Sequence, residues 1–193
     1  MNTKMKLLAG IIAGSALFST AHAATVNTNA SVTVQNTINL SKVTDLDLGT
    51  IAAFADTAGN NQSSLVLSAD PAVTPAVNNH ATDSKIVLIA PGTPAEFSVT
   101  SAAPNHALNI TLPTSVTLTG GLGAMTFELT DFVHHAHVEG NSQTTGSTTT
   151  AAGELGFYVG ATLSTSNAGG TTATNDPYEN ATYTGTFDVA VNY

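Results

Sequence analysis

From Val26 to Leu40 the chain alternates. Val26, Ala30, Val32, Val34, Ile38 and Leu40 hold even positions, and Asn27, Asn29, Ser31, Thr33, Gln35, Thr37 and Asn39 hold the odd ones. A period of two over that length predicts a β-strand with one buried face. The same period returns along the chain. SSLVLSA (63–69), KIVLIA (85–90), AEFSVTSA (95–102), ALNITLP with Leu108, Ile110 and Leu112, and SVTLTG with Val116 and Leu118 all read as strands. So do AMTFELTDF with Met125, Phe127 and Leu129, ELGFYVGATL with Leu155, Phe157, Val159, Ala161 and Leu163, and ATYTGTFDVAVNY. In the last, Tyr183, Gly185, Phe187, Val189, Val191 and Tyr193 share one face.

Between the strands lie turn formers. Pro91-Gly92 stops one strand, Pro104-Asn105 turns the chain, and Gly120, Gly121 and Gly123 mark another turn. In SKVTDLDLGTI, Leu46, Leu48 and Ile51 are expected to be buried, and Gly49 permits a turn or bulge. Residues 70–84, 141–153 and 164–180 are polar or proline-bearing and are expected to be loops, the last two flexible. No helical period is sustained after residue 23. The expected fold is all-β, an antiparallel immunoglobulin-like (pilin-like) β-sandwich. Its strand order stays open, because alternation does not name pairing partners.

The first 23 residues do not belong to that pattern. Lys4 and Lys6 precede an apolar run, Leu7 to Phe18, and Ala21-His22-Ala23 is a small-x-small cleavage signature. This reads as a secretory signal peptide, with the mature chain, 24–193, a single domain starting at Ala24. The expected location is the periplasm in transit, then the cell surface or exterior. No second span follows, so membrane insertion is not expected.

Charge narrows the partners. Lys42 and Lys85 are the only basic residues left after residue 23, against thirteen acidic ones. Nucleic acid, bound largely through basic side chains at phosphates, is therefore not an expected partner. The chain has no cysteine, so packing and hydrogen bonds must hold it without disulfides.

The polar cluster DFVHHAHVEG (131–140) is the main candidate for chemistry. On a strand Asp131, His135, His137 and Glu139 share one face, and Phe132, His134, Ala136 and Val138 share the other. His135 and His137 can reach one divalent metal, with Glu139, His80 or His106 completing the set. The plain alternative is a solvated polar face. No resident cofactor is expected. The sequence has no Gly-x-Ser-x-Gly elbow, phosphate loop or His-Glu-x-x-His, so the expectation is a non-enzyme.

Three motifs occur in order: LSKVTDLDLGTI (40–51), GFYVGATL (156–163) and YTGTFDVAVNY (183–193). Together they resemble the domain-of-unknown-function 4402 family of secreted bacterial proteins, over nearly the whole mature chain. That family carries no established activity. Its layout is similar to spore-coat-U-like pilins of archaic chaperone–usher fibres. The resemblance implies a sandwich short of one strand, completed by the N-terminal strand of a neighbouring subunit. Two departures are the missing cysteine pair and Leu48, where the family more often has Phe.

On that reading Val26, Ala30, Val32 and Val34 form the strand-exchange interface within an exchangeable N-terminal strand (24–40). Residues 24–31 are free or donated, and 32–40 belong to the parent sandwich. The expected partners are further copies, other pilin-like subunits and a periplasmic chaperone. The expected role is a fimbria-like fibre, in adhesion or biofilm. Two other readings remain: a monomeric module binding glycan or protein through loops 141–153 and 164–180, and a periplasmic metal-binding protein using His135 and His137.

Overall fold

The computed structural model describes residues 24–34, 37–56, 61–120, 125–137, 146–166 and 176–193. Among these, every regular element is a strand, and every ladder between strands is antiparallel. The first six strands are β1 (Asn39–Thr44), β2 (Thr50–Ala55), β3 (Ser64–Leu67), β4 (Ala76–Asn78), β5 (Lys85–Ala90) and β6 (Ala95–Thr100). The others are β7 (Asn109–Thr111), β8 (Ser115–Leu118), β9 (Phe127–His137), β10 (Leu155–Thr165), β11 (Asp176–Pro177) and β12 (Ala190–Asn192).

The strand β10 organises the largest sheet. Leu155, Phe157, Val159, Ala161 and Leu163 are each at most 2% exposed, as the alternation requires of a strand whose inner face is fully covered. One edge of β10 pairs with β9 along its length. The other edge is shared: Leu155–Val159 pair with β6 and Ala161–Ser164 with β3. Gly160 stands at the change of partner. A Cβ there would lie 2.3 Å from the Leu67 carbonyl oxygen, so only glycine lets both neighbours close on one strand. Beyond these, β1 pairs with β6, β4 with β3 and β8 with β9. The smaller ladders are β11-β2-β5 and β12-β7.

Two apolar clusters form the core. One gathers Ala95, Phe97, Val99, Ala102, Leu108, Ala136, Leu155, Phe157 and Val159. The Phe97 and Phe157 rings stack there at 5.3 Å. The other gathers Ala53, Leu65, Ile86, Leu118, Phe127, Leu129, Ala161 and Leu163. Leu46 and Phe132 pack against both. Gly49 has φ +85°, and Asp47 bridges Thr93 through two backbone hydrogen bonds of 3.0 and 2.8 Å. That turn carries the chain from β1 into β2.

Several expectations need correction. Residues 24–34 form no strand, and Val26, Val32 and Val34 are 86%, 86% and 72% exposed, which departs from the continuous strand expected from Val26 to Leu40 but not from a free lead over 24–31. The regular strand starts only at Asn39, although Ile38 already packs on the core. Alternation makes a segment fit to pair, but a ladder needs a partner with matching free backbone groups. The expected loop 70–84 contains β4, and residues 50–55 form β2; alanine supplied too little contrast to announce either. Of the expected flexible loop 141–153, residues 146–153 are tied to 102–108: Thr149 is 3% exposed, its Oγ1 accepts from His106 N and donates to the Ala103 carbonyl. Residues 141–145 lie outside the described residues. The end of the 164–180 loop holds β11.

Substituting Phe157→Ala empties the centre of the first cluster. The expected cost is about 3–5 kcal/mol of unfolding free energy, measured by denaturant titration; a loss below about 1 kcal/mol would mean the site collapses freely.

Candidate functional site

The first cluster is covered unevenly. Its outer packing comes from Ile38 and Leu40 on one side of the chain's course and from Phe187, Val189 and Val191 near its end, all only half-buried. The final segment runs antiparallel to residues 109–119. Thr184 bridges Thr119, and β12 pairs with β7. Between those contacts, residues 185–189 have no ladder partner among the described residues. Two causes are visible. Pro113 lies opposite and has no N–H to give. The pairing also shifts by two residues between Thr184↔Thr119 and Ala190↔Thr111.

The predicted faces of this segment nevertheless survive. Tyr183, Phe187, Val189 and Val191 are half-buried, while Thr184, Thr186, Asp188, Ala190 and Asn192 are exposed. Phe187 meets the Phe132 ring at 5.1 Å. At the end, Tyr193 Oη accepts a 2.8 Å hydrogen bond from Ala103 N and its ring meets that of His106 at 5.3 Å. An apolar row is therefore anchored at both ends with five residues of unladdered backbone between. The other outer strand leaning on this cluster, β1, pairs among the described residues only with β6.

The histidines lie elsewhere, on β9. Asp131, with φ +50°, sits where the β9–β10 register shifts. The bulge inverts the phase: Phe127 and Leu129 point inward before it, Phe132 and Ala136 after it. His135 and His137 thereby share the opposite face, as expected. His135 pairs across with Tyr158, and Tyr158 with Glu96; His137 pairs with Gly156. Without a side chain at Gly156, the His137 ring lies over that residue and stacks on Tyr158 at 4.5 Å.

Its Nε2 stands 3.3 Å from Glu96 Oε1, near enough for an ion pair when protonated, but without the alignment of a hydrogen bond. Tyr158 and Glu96 were not foreseen, since only strand pairing brings them there. Glu139 lies outside the described residues. His80 faces Asp83 at 3.2 Å and His106 packs on Tyr193. Among the described residues, no three histidine or acidic side chains are grouped to hold a metal.

Tyr178 closes the second cluster. It stacks on Phe127 at 4.0 Å, its hydroxyl accepts from Ser166 N at 2.6 Å and donates to the Thr126 carbonyl at 3.0 Å. Burial pushes its pKa up to about 12, against the opposing Ser166 N–H and with a smaller push from Tyr183. On β9, burial lowers the His134 pKa below its ordinary 6.5, and neighbouring His135 adds to the shift.

The family model described as "Domain of unknown function (DUF4402)" matches residues 38–193. No curated protein and no solved structure matches the chain.

Two pH effects follow. Tyr178 ionises from about pH 10 in the unfolded chain but only near 12 in the folded one. Stability therefore falls as pH rises through that window. Tyr178→Phe is expected to cost about 1–2 kcal/mol at neutral pH and to flatten the alkaline fall seen in denaturant titrations. His134 runs the other way. The unfolded chain takes its proton first, so stability falls as pH drops below 6.5. His134→Gln should make melting temperature less sensitive to acid; an unchanged slope would place that sensitivity elsewhere.

Proposed function

The chain belongs to the DUF4402 family, which has no assigned function, and we propose that it is an exported, non-enzymatic structural subunit that assembles by strand donation. In this reading the domain is a pilin-like sandwich, and residues 24–34 of one copy add as a strand to the next. One observation carries it: an alternating segment, 24–34, and an anchored apolar row, 185–189, occur in the same chain, each without a ladder among the described residues.

The chemistry of the two is complementary. The segment carries no charged side chain, and Val26, Ala30, Val32 and Val34 would extend the half-covered face formed by Phe187, Val189 and Val191. Asn and Thr on the opposite positions would remain in water. Eleven extended residues reach about 36 Å, ample for a five-residue gap and its flanks. Backbone hydrogen bonds would supply affinity and the alternate side chains the register. The acidic surface suits a subunit that stays soluble until a matching edge is found. A role at the cell surface, in adhesion or a fibre, follows from export and repetition together. Export itself rests on the leader-like residues 1–23.

The test compares the chain starting at Ala24 with one lacking residues 24–34, by light scattering on sized fractions and by negative-stain microscopy. The full chain is expected to form linear polymers and the shortened one to be monomeric, with polymers restored by neither added metal nor changed salt. Monomers from both would place the segment within its own domain and end the reading.

A further inference from the structure

Strand donation needs one acceptor edge, and a sheet protein offers several. The most hazardous among the described strands is β5. It is the outer strand of β11-β2-β5. Its sequence, Lys-Ile-Val-Leu-Ile-Ala, is rich in β-formers, and Val87 and Ile89 are 45% and 65% exposed. An apolar edge of this kind templates pairing with another chain.

That edge is closed by a side chain. Asn79 follows directly on β4. Its Oδ1 accepts from Ile86 N at 2.6 Å and its Nδ2 donates to the Ile86 carbonyl at 3.0 Å. These are the two bonds that an added strand would make to Ile86. The turn that holds Asn79 is itself fixed, since His80 N donates to Ser63 Oγ at 2.9 Å and Ser63 Oγ lies 3.0 Å from Ser84 Oγ. At the far end, Ile89 is the extra residue of a bulge between Ile51↔Leu88 and Thr50↔Ala90, and Pro91 has no N–H. By alternation Leu88 alone, between Ile86 and the bulge, turns its backbone groups outward as Ile86 does.

We propose that Asn79 is a specificity-determining residue of assembly, blocking addition of a second copy's β5 to β5 and so removing an edge that would compete with the one along residues 185–189. The blocking itself is independent of the strand-donation reading; the competition rests on it. Without Asn79, two copies can pair antiparallel about Leu88. Val87 then faces Ile89 of the second copy, apolar against apolar, and the two Lys85 side chains lie at opposite ends of the pair.

The chain has no cysteine, so Val87→Cys gives a single probe on the exposed face of this edge. The full chain from Ala24 carrying Val87→Cys is treated with a short bis-maleimide, with and without Asn79→Ala. Cross-linked dimer is expected to rise at least about tenfold with Asn79→Ala, and Ile89→Lys added to that variant should abolish the rise. A folded Asn79→Ala chain with no rise overturns the proposal, as does a rise that Ile89→Lys leaves intact. Should Asn79→Ala not fold, Asn79→Ser, too short to reach both groups of Ile86, is read by the same criteria. The cross-link reports β5 contact alone. Loss of polymers on removing 24–34 reports donation alone, so either claim can fail without the other.

Discussion

The structure depends on the pairing of β10 along both edges. Its five inner side chains are each at most 2% exposed, and they contribute to both core clusters, Leu155, Phe157 and Val159 to one and Ala161 and Leu163 to the other. β9 takes one edge whole. The other is divided at Gly160, where β6 gives way to β3. That division puts β1 and β4 beyond the same edge of β10, one past β6 and the other past β3, while β8 lies beyond β9. A side chain at Gly160 would meet backbone, which cannot move aside cheaply. The smaller ladders, β11-β2-β5 and β12-β7, add edges of their own.

Those edges are treated differently. The β5 edge is occupied by the Asn79 amide and interrupted by a bulge and Pro91. β11 is two residues long and ends in Pro177. Among the described residues the C-terminal segment has no such guard along 185–189, yet it is pinned at Thr184 and at Tyr193. Burial and backbone pairing are thus out of step there. The side chains have found the core while the backbone lacks a ladder. Strand donation is the reading in which both demands are met by one added segment.

Much of the architecture could be read from alternation. The interior of β10, the inner faces of β6 and β8 and the face of the final segment all follow period two. The phase break between Leu129 and Phe132 was also written in the sequence, and the structure makes it a bulge at Asp131. What alternation could not supply was partnership. Val26 to Val34 reads as well as Leu155 to Leu163, yet only the latter is a strand in the described residues. β2 was hidden by alanines and β4 by its surrounding turn formers. The neighbours of His137, Glu96 and Tyr158, lie 41 residues before and 21 after it and meet it only through register. Asn79 gave no signal, because a side chain that imitates a strand has no period.

Amide hydrogen exchange on residues 185–189 tests the central claim most directly. The chain lacking 24–34 is measured alone and then with a synthetic peptide of residues 24–34. Donation predicts that the peptide slows exchange at 185–189 while leaving Leu88 on β5 unchanged. Equal exchange at 185–189 with and without saturating peptide would contradict it.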